Sequence, residues 1–309
     1  MSFAYNASAV ALGGRIVLPG PAIIQSQASV ALAPTGGVGT QTISNFNYNG
    51  IVTFDEASAY VSGSQDDTDN TFNTLSTVTI RNLNVLNVLQ VDRLVGSITS
   101  RHDRGAPEGE ITFQGTSVDN LRIAGRLIGP RFNQSFYTRY PTHQAIVAGM
   151  NENVANSQCP EVRSWVEEDV AKERAKAGPN FDEAACRARL GLLNVAGLVA
   201  DRFCLPPGGG ARDDQCLLHC SLADDIPGIE EMTPEDEARI PPAELRQRHP
   251  IRRYGYVIKV AGFGTIKLAE IVIKPGERRL NMFRLEFGCP TTGDMTVASV
   301  GTNGTELIP

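Results

Sequence analysis

The six cysteines are the residues of this 309-residue chain with the most obvious chemistry. Five of them fall in one segment, and an even count concentrated in this way is typical of two or three disulfides that brace a segment with little core of its own. The connectivity stays open, because the spacing does not select one pairing. The candidates are Cys159, Cys186, Cys204, Cys216, Cys220 and Cys289.

Two other interpretations of these cysteines stay open. One is zinc, since Cys204, Cys216, His219 and Cys220 offer four ligands for a tetrahedral site, although their spacing is not a strong zinc signature. The other is a set of reduced, buried thiols in a cytosolic protein. Disulfides are the leading hypothesis, and we predict no metal and no cofactor.

No local motif predicts catalysis. The segment Asp66–Asn70 places oxygen ligands close together, but it lacks the glycine and the downstream glutamate of a calcium loop, so it predicts a solvated hairpin tip. The segment Gly208–Gly210 is not followed by the lysine of a phosphate-binding loop. The four histidines, which we expect in loops, have no paired spacing. We therefore predict that the chain is not an enzyme.

A basic and aromatic cluster follows an acidic, proline-rich run. The opposite charges of the two predict a contact between neighbouring copies of the chain. The basic and aromatic residues are Arg248, Arg252, Arg253 and Tyr254. The acidic residues are Glu230, Glu231, Glu235, Asp236 and Glu237.

The overall charge excludes one large class of partner. The formal net charge is -6 and the pI is near 5.4, whereas a general nucleic-acid-binding protein needs surplus lysine and arginine to neutralise phosphates. No apolar run reaches the roughly 18 residues of a membrane-spanning helix, so we predict no integral membrane segment. The charge is also uneven. No residue between Arg15 and Asp55 is charged, whereas residues 151–255 contain several acidic runs.

The elements that must position these residues are mostly strands. Apolar and polar residues alternate in segments such as Thr77–Arg81 and Ile51–Phe54, which is the period of a half-buried strand. Helical spacing is confined to the middle of the chain, from Pro160 to Gly178 and from Asp182 to about Phe203. The chain is therefore predicted to be mainly β, an antiparallel β-sandwich or barrel-like domain with an α-helical, cysteine-containing insertion.

This pattern divides the chain into four parts. Residues 1–150 form the N-terminal part of the β-domain, and residues 151–222 form the helical insertion with its clustered cysteines. Residues 223–255 are an acidic, proline-rich arm or linker, and residues 256–309 supply the C-terminal strands that complete the β-domain.

Several of the strand segments also resemble a known family in their order and spacing, over about two-thirds of the chain. They are Thr77–Leu86, Leu89–Val95, Thr112–Gly125, Ile266–Glu270, Leu280–Leu285 and Gly293–Ser299. Together they resemble the strand motifs of the choice-of-anchor P group of bacterial surface proteins. The resemblance implies a secreted or surface-exposed β-domain without established activity, and it supplies no catalytic residues.

These observations favour a non-enzymatic structural or surface protein that assembles with copies of itself. We expect a filament, sheath or coat subunit that docks by strand addition and arm exchange, because the early strands are weakly charged and rich in small residues. The predicted location is extracellular or on the cell surface. A cytoplasmic location is the alternative, since Met1–Tyr5 has neither the basic region nor the apolar region of a secretory signal.

Two other classes of function remain open. A monomeric extracellular module that binds carbohydrate or a cell surface would present an aromatic platform on one sheet face. The nearest candidates for that platform are Tyr48, Phe54, Tyr60 and Phe72. A β-barrel enzyme, such as a cyclase or hydrolase, would need an enclosed apolar pocket that holds polar groups with shifted pKa values.

Overall fold

The computed structural model describes residues 2–146, 174, 218–232, 239–274, 276–288 and 290–307. These residues are mainly strands in antiparallel sheets, as the sequence predicts. The first seven strands are β1 (Ser2–Ala4), β2 (Ala7–Leu18), β3 (Ala22–Ala31), β4 (Gly37–Tyr48), β5 (Val52–Asp66), β6 (Thr71–Val85) and β7 (Leu89–Asp103).

Shorter elements follow these long strands. They are β8 (Glu110–Thr112), β9 (Ser117–Asp119), β10 (Leu121–Ile123), β11 (Arg126–Ile128), β12 (Arg131–Phe132), helix α1 (Gln134–Arg139), β13 (Leu218–Ser221), β14 (Ala223–Asp225) and helix α2 (Pro242–Arg248). The last strands are β15 (Ile251–Tyr254), β16 (Val257–Val260), β17 (Gly264–Lys274), β18 (Glu277–Phe287), β19 (Thr292–Asn303) and β20 (Thr305–Leu307).

Two large sheets face each other as a sandwich. Sheet I has the order β15-β16-β17-β18-β19-β2-β3, and β13 also pairs with β17. It therefore joins strands from the start of the chain to strands from its end. Sheet II has the order β11-β10-β7-β6-β5-β4, and β8 and β9 also pair with β7. The small pairs β1–β20 and β12–β14 complete the described strands.

The core lies between the two sheets. In β6 the buried Val78 and Ile80 alternate with half-buried threonines, which confirms the strand predicted from the alternation. Full burial of an aliphatic or aromatic side chain contributes about 1.5–3 kcal/mol, so this face of each strand fixes its register. Polar contacts also cross the core. The hydroxyl groups of Thr74 and Thr302 lie 2.7 Å apart, and Ser76 Oγ donates to the carbonyl oxygen of Gly301 at 3.1 Å.

Sheet I contains one row of residues with left-handed backbone angles. Ala28, Ala298 and Ala269 occupy alternate strands of this row with positive φ angles of 43°, 50° and 49°. Both Val297 and Ala298 are buried, and so are Leu268 and Ala269, so two consecutive residues face the core in each of these strands. The face to which alternate residues point therefore switches at this row.

Sheet II has a corresponding row with the opposite orientation. Asn45, Asn82 and Asn120 have φ angles of 56°, 52° and 51°, and each has an exposed neighbour in sequence. Asp55 and Asp92 lie between them in the sheet, where Asn82 donates to Asp55 at 2.6 Å and Asn120 donates to Asp92 at 2.7 Å. Here the consecutive residues face solvent.

The predicted helical insertion lies mostly outside the described residues, and so do the helices expected within it. Its last five residues do not follow the prediction. Residues 218–222 include β13, which pairs with β17 in sheet I, because β16 covers β17 only from Gly264 to Lys267 and leaves the backbone of Glu270–Ile273 open to a further strand. The region predicted as an arm also contains regular structure, namely β14, α2 and β15. Met232, Leu245 and Tyr254 pack together there as a small apolar cluster.

Candidate functional site

An open groove crosses the outer face of sheet I. It runs over β17, β18, β19 and β2 to β3 and has a cavity volume of about 800 Å³. Its floor consists of polar and small side chains, with a few aliphatic residues between them. The floor includes Glu270, Asn281, Arg284, Thr296, Ser299, Val10, Gly13 and Ser26.

Glu270 is a buried carboxylate that lines this groove. Its residue is 2% exposed, and it lies opposite Asn281, which lies opposite Ser299. Asn281 Nδ2 donates to Glu270 Oε2 at 3.4 Å, and Arg284 Nη1 lies 3.6 Å from Glu270 Oε1. Both contacts are long for charge-assisted hydrogen bonds, which are typically about 2.7–2.9 Å.

The charges around the groove balance one another. Glu277 contacts Lys274 at 3.4 Å and Arg279 at 3.7 Å. At the other end, Arg15 contacts Asp294 at 2.6 Å. Together with the Glu270 contact, these pairs leave no dominant sign of charge along the groove.

A close approach of β2 and β19 sets the shape of the groove wall. A Cβ atom added to Gly14 would lie 2.8 Å from the Cα of Met295, and it would also contact the carbonyl oxygen of Asp294. Real Cβ atoms essentially never come this close to backbone atoms. Only glycine therefore lets the two strands keep this spacing.

A second candidate surface lies at one side of the sandwich, where β3 ends sheet I and β4 ends sheet II. We call these two strands the side wall. They are 10 and 12 residues long, and neither contains a charged residue. They lie next to each other, and the backbone N–H of Ser29 on β3 donates to Gln41 Oε1 on β4 at 2.6 Å. Ile23 on β3 is 77% exposed, and Val38 on β4 is 71% exposed.

The opposite edges of the two sheets are different. Sheet I ends there in β15, which has four residues and includes Arg252 and Arg253, and β15 is bridged by Glu231. Sheet II ends in β11, which has three residues and begins with Arg126. Short strands and charged side chains are common ways to prevent edge-to-edge pairing. In the described part of the chain, only the side wall combines long strands with a complete lack of charge.

The charged cluster predicted to join neighbouring subunits makes contacts within one chain. Arg253 Nη2 lies 3.0 Å from Glu231 Oε2, and Arg253 Nε donates to the carbonyl oxygen of Ile229 at 3.1 Å. His249 Nδ1 lies 3.3 Å from Glu230 Oε2. These contacts hold residues 229–231 against β15 and the residue His249 before it.

The other members of that predicted cluster have different positions. Arg248 contacts Glu244 one turn away on α2 at 2.8 Å, and Arg252 Nε donates to the hydroxyl of Tyr254 at 3.2 Å. Glu235, Asp236 and Glu237 lie outside the described residues.

The cysteine predictions cannot be placed in the same way. Cys159, Cys186, Cys204, Cys216 and Cys289 lie outside the described residues, and Cys220 lies in β13 beside His219. Disulfides, thiols and zinc all stay predictions. Among the described residues, no three histidine, cysteine, aspartate or glutamate side chains are grouped as a metal site would require.

The remaining sequence predictions have mixed outcomes. Residues 67–70 form the turn between β5 and β6, where Asp66 Oδ1 accepts the N–H of Thr68 at 2.9 Å, so the hairpin tip is confirmed. Of the four candidates for an aromatic platform, Phe54 and Phe72 are buried in the core, whereas Tyr48 is half-buried and Tyr60 is exposed. The histidines are expected in loops, but His102 lies in β7, His219 in β13 and His143 in a helical segment, and His249 lies outside these elements.

Tyr5 has a shifted pKa, and it lies away from the groove. Burial raises the pKa of Tyr5 above its ordinary value of 10.0. The ring packs edge-on against Phe3 with centroids 5.0 Å apart. Tyr5 therefore belongs to the aromatic end of the core.

Sequence reasoning missed Glu270, Asn281 and Arg284. The available signal was a single carboxylate within the apolar run from Leu268 to Ile273. A charged residue in such a run is rarely buried without a partner. The partners come from β18, which only the sheet pairing brings beside it.

Comparison with known proteins gives one match. Residues 3–274 match a family model described as "Domain of unknown function (DUF8256)". The chain belongs to this family. No curated protein matches the chain, and no solved structure matches it. The matched segment ends where β17 ends, although β18 and β19 complete sheet I between β17 and β2. The resemblance to the choice-of-anchor P group stays a prediction.

No described helix combines the length and the apolar composition that crossing a bilayer requires.

Proposed function

We propose that the chain is a non-enzymatic structural protein that assembles with copies of itself through the side wall. The observation that carries this proposal is the contrast between the edges of the sandwich. The edges at β15 and β11 are short and carry arginine, whereas β3 and β4 are long and uncharged. An unpaired edge strand offers a row of free N–H and C=O groups to another chain, and natural monomers usually block such a row.

A second copy of the same chain is the occupant that fits this edge best. The side wall has no charge, so two identical side walls meet without electrostatic repulsion. It also keeps apolar surface accessible, since Ile43 and Phe46 of β4 are only partly buried. Pairing β4 with β4 of another copy would extend sheet II and cover that surface.

The same contrast between the edges supports a two-fold dimer as the first product of assembly. The protected edges lie on the far side, so the side wall of one copy would pair with the side wall of another. A contact that uses the same surface on both copies is complete with two copies. The building block is therefore a two-fold dimer. Growth into a filament, sheath or coat needs a second contact, for which the predicted arm exchange stays the proposal.

The predicted insertion and location belong to the same proposal. The α-helical, cysteine-containing insertion predicted for residues 151–222 would add such a contact surface through the part that precedes β13. Disulfides within it would suit an extracellular or cell-surface location, where oxidising conditions preserve them.

A charge placed on β4 tests the docking surface. Thr42 is exposed on this edge strand, and Ser58 lies directly opposite it on β5, on the same face but one strand further in. Thr42→Lys should weaken dimerisation by about tenfold or more, because like charges face each other across the symmetric pair. Ser58→Lys adds the same charge and should change dimerisation much less.

Size-exclusion chromatography with light scattering over a dilution series measures both variants. Circular dichroism confirms that each variant is folded. Equal dimerisation of Thr42→Lys and wild type would exclude β4 as the docking edge, and so would equal weakening by the two lysines.

A further inference from the structure

We propose that the groove on the outer face of sheet I binds a neutral glycan chain. This site does not depend on assembly through the side wall. It rests on Glu270, on the balanced charge of the groove and on the way the floor presents its polar groups.

Glu270 has acceptor capacity that its own chain leaves unused. A carboxylate can accept about four hydrogen bonds, yet the two contacts recorded for Glu270 are a 3.4 Å bond from Asn281 and a 3.6 Å ion pair with Arg284. Its side chain is 2% exposed and lines the groove, so a small part of it is open to a ligand there. Ligand hydroxyl groups that donate to its oxygens would complete its shell, and Asn281 and Arg284 are placed to donate to the same hydroxyls.

The balanced charge selects a neutral ligand. A cation that approached Glu270 would meet Arg284 3.6 Å from the same carboxylate. An anion that approached Arg284 or Arg279 would meet Glu270 and Glu277. A hydroxyl group both donates and accepts without a net charge, so it suits such a mixed surface.

The shape and the floor favour a glycan over a peptide. The groove crosses five strands and so is about 19 Å long at about 4.8 Å per strand, which suits an extended chain. Peptides recognise sheets mainly through the free backbone of an edge. Along most of this groove the backbone is already paired within sheet I, and the floor offers side-chain groups such as Thr296 and Ser299.

The experiment titrates the full chain with defined neutral trisaccharides and with charged trimers. The neutral probes are maltotriose, cellotriose and chitotriose, and the charged probes are trigalacturonate and trilysine. Isothermal calorimetry or ligand-observed NMR measures binding. We expect at least one neutral trisaccharide to bind, and Glu270→Gln to weaken it about tenfold, because the charge-assisted hydrogen bonds are lost while the shape is kept.

Two further variants keep the test decisive. Glu286→Gln is the matched control. Glu286 lies on β18 and does not line the groove, and its carboxylate lies 3.3 Å from the ammonium of Lys267 on β17. It should bind as wild type does. Ser299→Ala removes a floor hydroxyl with little risk to folding and should also weaken binding.

Three results would overturn the proposal. They are no binding of any neutral trisaccharide at millimolar concentration, binding of trilysine or trigalacturonate alone, and binding that folded Glu270→Gln and Ser299→Ala leave unchanged. None of these results bears on dimerisation through the side wall.

Discussion

Removing one hydroxyl of the Thr74–Thr302 pair should destabilise the whole sandwich. Thr74 belongs to β6 of sheet II and Thr302 to β19 of sheet I, so their 2.7 Å hydrogen bond joins the two sheets. The residues are 5% and 2% exposed. Valine has nearly the shape of threonine, so Thr74→Val and Thr302→Val leave no cavity but leave the other hydroxyl buried without its partner.

The expected size follows from that burial. An unsatisfied buried polar group costs about 1–3 kcal/mol, so each single variant should lose about that much free energy of unfolding. The double variant removes both hydroxyls and leaves none orphaned. Its loss should therefore be smaller than the sum of the two single losses, with a coupling energy of about 1–2 kcal/mol.

Urea unfolding followed by circular dichroism measures these losses, provided that the slope with urea concentration stays constant. Thr53→Val is the control partner for Thr74→Val, because Thr53 lies at the far end of β5 from the residue that pairs with Thr74. That control pair should be additive. Strictly additive losses for Thr74→Val and Thr302→Val would refute the buried bond between the sheets.

Three further predictions concern the core and the groove. Gly14→Ala should destabilise the fold by about 1–3 kcal/mol, because its Cβ would meet the Cα of Met295 at 2.8 Å, whereas Gly20→Ala, with open space around it, should be nearly neutral in urea unfolding. Phe283→Ala should lose about 3–5 kcal/mol in the same assay, since the ring is fully buried, and a loss below 1 kcal/mol would contradict its place in the core. Burial raises the pKa of Tyr5, so the phenol loses its proton at a higher pH in the native state than in the unfolded state. The free energy of unfolding is therefore unaffected below pH 10 and falls as the pH rises towards the folded-state pKa. Wild type should therefore lose more stability than Tyr5→Phe between about pH 9 and pH 11, and equal losses would contradict the shift.

Much of the β-fold is predictable from local pattern. Alternation of apolar and polar residues identifies strands such as β6, because each side chain faces either the core or the outer surface. The rows of left-handed residues in the two sheets are not predictable in this way. Ala269 and Ala298 adopt positive φ angles that alanine rarely takes, and only the packing of neighbouring strands imposes them.

The candidate surfaces follow the same division. The uncharged run between Arg15 and Asp55 is plain in the sequence, but its place at two sheet edges depends on the pairing of distant strands. The opposite charges near Arg253 are also plain, yet the chain folds back so that Glu231 pairs with it internally. Sequence distance does not distinguish a contact within the chain from one between copies.

The exchange of β4 amide hydrogens with deuterium tests the proposed assembly most directly. Alternate N–H groups of β4 point away from β5, so in a monomer they face solvent, and in a dimer they bond to the second copy. We predict that peptides covering Gly37–Tyr48 exchange slowly at micromolar concentration and lose this protection on dilution to nanomolar concentration, while peptides covering β6 in the middle of sheet II do not change. Equal exchange of β4 at both concentrations, in a chain whose β6 stays protected, would contradict assembly through the side wall.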